Sequence, residues 1–230
     1  MRRTWVVLAA GALLGMQAPA WPAATSEPVD LTYPAGEAPD EASGPPAISG
    51  DGRWVAFASA SELTPEDDSE SVDVYVRDLA EDRTILVTGV EDEAYRVHYD
   101  PSISDDGRFV SFISQGDGLV PEDVNGNEDV YVKDLQTGDL FVASARRNGV
   151  PAGGAVPVVS GDGEWVAFAS NRLTRDDRND GSDVYVRHLG TGKAFLVSRT
   201  TRGRQVDGPF DDVAVSDDGS RIAYSMYGGL

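Results

Sequence analysis

The residues best suited to chemistry in this sequence lie in three short acidic stretches. Aligned on the closing aspartate, they read Asp67-Asp68-Ser69-Glu70-Ser71-Val72-Asp73, Asp123-Val124-Asn125-Gly126-Asn127-Glu128-Asp129 and Asp177-Arg178-Asn179-Asp180-Gly181-Ser182-Asp183. All three share Asp-x-(Asn/Ser)-x-x-x-Asp. Calcium takes about six to eight hard oxygen ligands, and oxygen side chains at alternate positions with a glycine-assisted bend can wrap such an ion, as an EF-hand loop does. The candidate ligands are therefore Asp67, Ser69, Asp73, Asp123, Asn125, Asp129, Asp177, Asn179 and Asp183. The second loop, with Asn125 and Gly126, fits best; the first, with Ser69 and no glycine, fits least. The competing reading needs no metal: Asp and Asn bond their own backbone in Asx turns, and water solvates the charge. The loops lack the terminal Glu and flanking helices of an EF-hand, so both readings stand.

Enzyme signatures are thin. There is no cysteine, which removes thiol catalysis and Cys-based zinc sites, and the two histidines, His98 and His188, sit in no motif. Each reads as a surface or strand-end histidine, with His188 in the place of the aspartates Asp78 and Asp134 of the other copies. Gly190-Thr191-Gly192-Lys193 lacks the full spacing of a phosphate loop and a following helix, and reads as a hairpin turn. No Gly-x-Ser-x-Gly elbow occurs. Trp54 and Trp165 could stack on sugars, but beside Val and Phe in an apolar run they read as packing residues. The expectation is a non-enzyme with no cofactor beyond calcium.

The elements that position these residues repeat. Ala47-Ile48-Ser49-Gly50-Asp51-Gly52 recurs as Ser102 to Gly107, Val158 to Gly163 and Ala214 to Gly219, and the aspartates before glycine are spaced by 55, 56 and 56 residues. Four copies of a turn argue for structure rather than catalysis. Each unit predicts four strands: a short one ending in Ser, an Asp-Gly turn, the apolar run Trp54 to Ser59 and its copies, then Asp73 to Leu79 and its copies after the acidic loop, and a fourth containing Ile85-Leu86-Val87, Phe141-Val142-Ala143 or Phe195-Leu196-Val197. In the first unit the strands fall near 46–49, 53–59, 72–79 and 84–88. No amphipathic helix is expected. Four-stranded units of fixed length, each buried by its neighbours, describe an all-β propeller.

Ser-x-Asp-Gly-x-Trp-Val-Ala-Phe followed by Asp-Val-Tyr-Val-Arg-Asp-Leu resembles the WD-repeat-like propeller repeats of the TolB family, over residues 45 to 230. The resemblance implies an exported, non-enzymatic scaffold whose loops and channel bind a protein partner or ligand. Similar blades also precede the catalytic domain of prolyl-oligopeptidase-like hydrolases, and the acidic loops suit a calcium-dependent surface protein. Fold alone does not choose among these.

Composition bounds the partners. With 39 acidic against 19 basic residues the net charge is -20, which repels nucleic-acid backbones and anionic lipid surfaces. Residues 1–20 read as a cleaved secretory signal: Arg2 and Arg3, an apolar run from Trp5 to Met16, and the small residues Ala18 and Ala20 at the cleavage site. That run is too short for an ordinary membrane span, so the expected location is periplasmic or extracellular. Residues 21–44 form an N-terminal segment with a stray blade strand near 29–33. The fourth unit reaches Leu230 before its acidic loop, which predicts three complete blades and a partial fourth, a fragment of a larger propeller.

Overall fold

The computed structural model describes residues 45–67, 71–88, 97–115, 118–179, 181–206 and 208–226. The expected leader, the segment 21–44 with its stray strand, and Ser69 of the first acidic loop lie outside them.

The described chain is all-β, an array of propeller-type blades. The first is β1 (Ala47–Ile48), β2 (Trp54–Ser59), β3 (Asp73–Asp78) and β4 (Arg83–Leu86). The second is β5 (His98–Ile103), β6 (Phe109–Gln115), β7 (Glu128–Asp134) and β8 (Leu140–Val142). The third is β9 (Gly154–Val159), β10 (Trp165–Asn171), β11 (Ser182–His188) and β12 (Ala194–Leu196). In each, consecutive strands pair antiparallel in simple sequence order. The strands β13 (Phe210–Val215) and β14 (Ile222–Met226) begin a fourth blade as a hairpin.

Register is the same in every blade. Phe57 faces Tyr75, Phe112 faces Tyr131 and Phe168 faces Tyr185 across the second and third strands. These rings stack with centroids 5.8, 5.7 and 6.3 Å apart, and all three tyrosines are fully buried. The cores lie between blades rather than within them. Ala56, Val74 and Val76 of the first blade pack with Val110, Phe112 and Tyr131 of the second. Val130 and Val132 in turn meet Val166, Phe168 and Tyr185. Ala167, Val184 and Val186 meet Phe210 and Val213. Each described blade buries a face against the next, so the repeat supplies the core that one unit alone lacks.

The Ser-x-Asp-Gly turns close on themselves. Ser49 Oγ donates to Asp51 Oδ1 at 2.6 Å, Arg53 N donates to the same oxygen at 2.9 Å, and Trp54 N donates to Ser49 Oγ at 2.9 Å. Gly52 supplies the positive φ of 72° that a side chain would resist. The same bonds recur at Asp106, Asp162 and Asp218. The turn glycine also has an interblade task. A Cβ on Gly107 would stand 2.3 Å from Trp54 Cδ1, one on Gly163 would stand 2.6 Å from Phe109 Cδ2, and one on Gly219 would stand 2.1 Å from Trp165 Cδ1. Each aromatic at the head of a second strand thus rests on the turn glycine of the next unit. The packing expected of Trp54 and Trp165 is packing between blades.

The fourth strands begin earlier than the apolar pattern predicts, at Arg83, Leu140 and Ala194, and end before Val87, Ala143 and Val197. The reason is the residue after each of those three. Thr88, Ser144 and Ser198 accept a hydrogen bond from the backbone N–H of Val74, Val130 and Val184 through their hydroxyls, so a side chain replaces the next rung of the ladder.

Candidate functional site

The three acidic loops enter their blades in the same way. Asp67, Asp123 and Asp177 accept hydrogen bonds from the hydroxyls of Tyr75, Tyr131 and Tyr185. Asp73, Asp129 and Asp183 accept from Thr88, Ser144 and Ser198 at 2.6, 2.5 and 2.5 Å. All six carboxylates are buried. A buried carboxylate is costly unless bonded, and here the hydroxyls that hold the carboxylates also cap the strands. Burial pushes the Tyr75 and Tyr185 phenols well above their ordinary pKa, and the facing carboxylates push them further. Burial also raises the pKa of Asp129, opposed by bonds from Ser144, Asn125 and Gly153 N.

The loops differ at their centres. In the third, Asp177 Oδ1, Asn179 Oδ1 and Asp183 Oδ2 converge on one atom, the Nε2 of Gln205, at 2.8, 3.2 and 3.4 Å. An amide donor thus occupies the point where three candidate calcium ligands meet. In the second, Asn125 Nδ2 donates to Asp129 Oδ2 at 2.7 Å, and Pro151, which has no amide, takes the bridged position that Gln205 takes one blade later. The structure therefore brings Asp177, Asn179 and Asp183 together, and joins Asn125 to Asp129. In the first loop it places Asp67 and Asp73 on Tyr75 and Thr88.

The other sequence candidates are structural in geometry. Asp78 and Asp134 take bidentate bonds from Arg53 and Arg108, which hold their carboxyls down at about 2. In the third blade Glu164 replaces the arginine and His188 the aspartate, with His188 Nδ1 accepting from Thr191 N at 3.2 Å. Gly190 to Lys193 is the β11–β12 turn, with Gly192 at a φ of 67°. His98 stands at a strand end, as expected, but it is buried rather than on the surface. Its ring meets Phe112 edge-on at 6.0 Å, and Nε2 lies 4.0 Å from Asp73 Oδ1.

Sequence reasoning missed a cleft at the outer edge of the third blade, where the β8–β9 connection crosses β11 and the turn into β12. It encloses about 1500 Å³. Arg146, Arg147, Arg172, Arg175, Arg187 and Lys193 line it, and among the described residues no carboxylate does. Arg187 ties the cleft together: Nη1 donates to Gly192 O at 2.7 Å and Nη2 to Ala145 O, while its buried Nε has no hydrogen-bond partner. Its counterpart in the first blade, Arg77, instead pairs with Asp82. The available signal was compositional: Arg146-Arg147 and Arg172 to Arg175 are basic runs in an acidic chain.

No family model and no curated protein matches the sequence. Among solved structures the chain is similar to TolB from Acinetobacter baumannii, at 20% identity and a TM-score of 0.49 over 82% of this chain and 39% of that one. A putative TolB from Agrobacterium tumefaciens gives 17% and 0.49, over 78% and 52%. Oligogalacturonate lyase from Vibrio parahaemolyticus gives 14% and 0.48, over 78% and 45%. The chain spans about half or less of each.

Proposed function

We propose that this chain is an exported, non-enzymatic β-propeller scaffold that binds a ligand or protein partner, with the cleft on the third blade as its binding face. The observation that carries the reading is a contrast. The polar residues that recur from blade to blade are bonded into the blades themselves: Asp51 and its copies to Ser and backbone, Asp67 and Asp73 and theirs to Tyr and Ser or Thr. Arg187 recurs as Arg77 and Lys133, but Arg146, Arg147, Arg172 and Arg175 of the cleft follow no such repeat, and among the described residues no carboxylate joins them in its lining. What repeats builds the array, and what does not repeat is available for recognition.

Two measurements test it. Hydrogen exchange of the purified chain, with and without an extract of the exported fraction, should show protection confined to 145–149, 172–175 and 187–194. Mass spectrometry should then recover the bound compound unaltered. A chemically changed compound would make the chain an enzyme, and protection elsewhere would move the binding face. Export is read separately, by fractionating cells that make the chain with and without residues 1–20; equal distribution of both would end that part of the proposal.

A further inference from the structure

The geometry of the cleft points to a compact multivalent oxyanion as its ligand: a non-aromatic small molecule carrying two or more closely spaced carboxylate or phosphate groups. This rests on the reading of the chain as a binding scaffold. Six of the chain's 19 cations line this one cavity, in a sequence with 39 acidic residues. With twice as many acids as bases, chance placement would line it mostly with carboxylates.

The nearest acid in sequence is already engaged. Asp176 binds Arg199 at 2.7 Å, and the nearby Thr174 hydroxyl, together with Arg199, holds its carboxyl below the usual range. Arg187 is half-buried, and burial lowers its guanidinium pKa. It meets carbonyl dipoles and no carboxylate among the described residues. Arg172 holds a φ of 31°, a left-handed conformation that residues with a Cβ rarely adopt, where the chain leaves β10 for the cleft.

Lining and field narrow the class. At about 1500 Å³ the cleft is roomier than a compact anion fills, so its volume admits such a ligand without selecting it. Guanidinium forks match paired oxyanion oxygens better than any neutral group. Among the described residues no aromatic ring lines the cleft, so they offer no platform on which bases could stack. A long polyanion would also run out of the cleft into the field of a chain with net charge -20. A small anion held inside feels chiefly the local cations, because charges more than about 8 Å away are screened at physiological salt. Added sodium chloride should therefore weaken binding. If the overall negative field dominated, salt would strengthen it.

The test is calorimetric titration of the full chain with citrate and with sodium tripolyphosphate at fixed ionic strength, with sodium acetate as the monovalent control. We expect one site for at least one of the two polyanions and none for acetate. The arm that binds tells carboxylate from phosphate recognition. The exposed pair Arg175→Gln with Lys193→Gln should weaken binding by about tenfold or more, since two charge-assisted contacts are lost. Lys133→Gln, the loss of one cation at the position of Arg187 one blade earlier, should alter it less than about twofold. If neither polyanion binds, if the double variant binds like the wild type, or if salt tightens binding, the oxyanion class is overturned, while the scaffold reading stands on its exchange measurement. If the polyanion binds but phosphorus or carbon NMR shows it converted, the ligand class holds and the non-enzymatic reading fails.

Discussion

Gly52 and Gly107 form an internal experiment on how blades are joined. They hold the same place in successive turns, with φ of 72° and 73°, so alanine at either meets the same backbone penalty. That penalty is about 1–2 kcal/mol for an L-residue in the left-handed region, offset by about 0.4–1 kcal/mol from the stiffer unfolded chain. They differ in surroundings. Among the described residues nothing lies within 4 Å of a Cβ on Gly52, whereas one on Gly107 would sit 2.3 Å from Trp54 Cδ1 and 2.4 Å from Cγ. Those atoms are the stem of a rigid ring, and Arg53, itself fixed by Asp78, lies over it at 4.6 Å. The ring cannot swing away cheaply, so Gly107→Ala adds an overpacking cost of about 1–3 kcal/mol. Gly52→Ala should lower stability by about 1 kcal/mol and Gly107→Ala by about 2–4 kcal/mol. Urea unfolding followed by tryptophan fluorescence gives both. A double-mutant cycle with Trp54→Ala should recover a coupling of about 1 kcal/mol or more. Equal losses at the two glycines, or a coupling near zero, would refute the idea that the ring and the glycine form the joint between blades.

Acid should loosen the first two blades. Arg53 and Arg108 depress Asp78 and Asp134 to about 2 from an ordinary 3.8, so their stabilisation is complete above about pH 4 and is lost as pH falls toward 2. Arg108→Gln should flatten that part of the pH–stability curve, and an unchanged curve would count against the pair. Tyr131→Phe removes a hydroxyl bond to the buried carboxylate of Asp123 and should cost about 1.5–3 kcal/mol, measured by chemical unfolding; a loss under about 0.5 kcal/mol would show the bond contributes little. For calcium, the second loop is the place to look, because Gln205 fills the centre of the third. Millimolar calcium should raise the melting temperature a few degrees more than magnesium does, and Asp129→Asn should abolish the difference. Gln205→Ala should create a second selective response in the third loop. Equal shifts with both ions would leave all three loops as turns.

The parts of this fold that are local in sequence were legible. A Ser-x-Asp-Gly turn spans six residues, its glycine is needed for φ, and four copies fix the strand order. The Tyr–Asp bond was also readable in principle, since the tyrosine follows the loop's first aspartate by eight residues in all three copies. The same aspartates also fit a metal-ligand pattern, so the sequence alone does not single out the tyrosine as their partner. The parts that join distant segments were not legible. Trp54 rests on a glycine of the next unit, and Gln205 enters the third loop from a connection whose counterpart one blade earlier carries Pro151, so no shared motif marks it. The cleft gathers cations from four separate stretches between Arg146 and Lys193, each unremarkable alone. His98 looked like a strand-end histidine and is one, but burial between blades depends on Phe112, which the pattern assigns to another strand.

The glycine seats bear on how such an array is inherited. The ring belongs to one copy and its seat to the next, so a stretch of gene one repeat long carries half of two joints. Cut at any point and duplicated or excised whole, it still brings a ring onto a seat at the new junction. An insertion of another length keeps them together only where a connecting loop absorbs it, as one does for the single residue by which the spacings of 55 and 56 differ. Unequal crossing-over between copies spaced 55 or 56 residues apart is therefore close to structurally silent, and a lineage can change its number of blades more easily than the length of one.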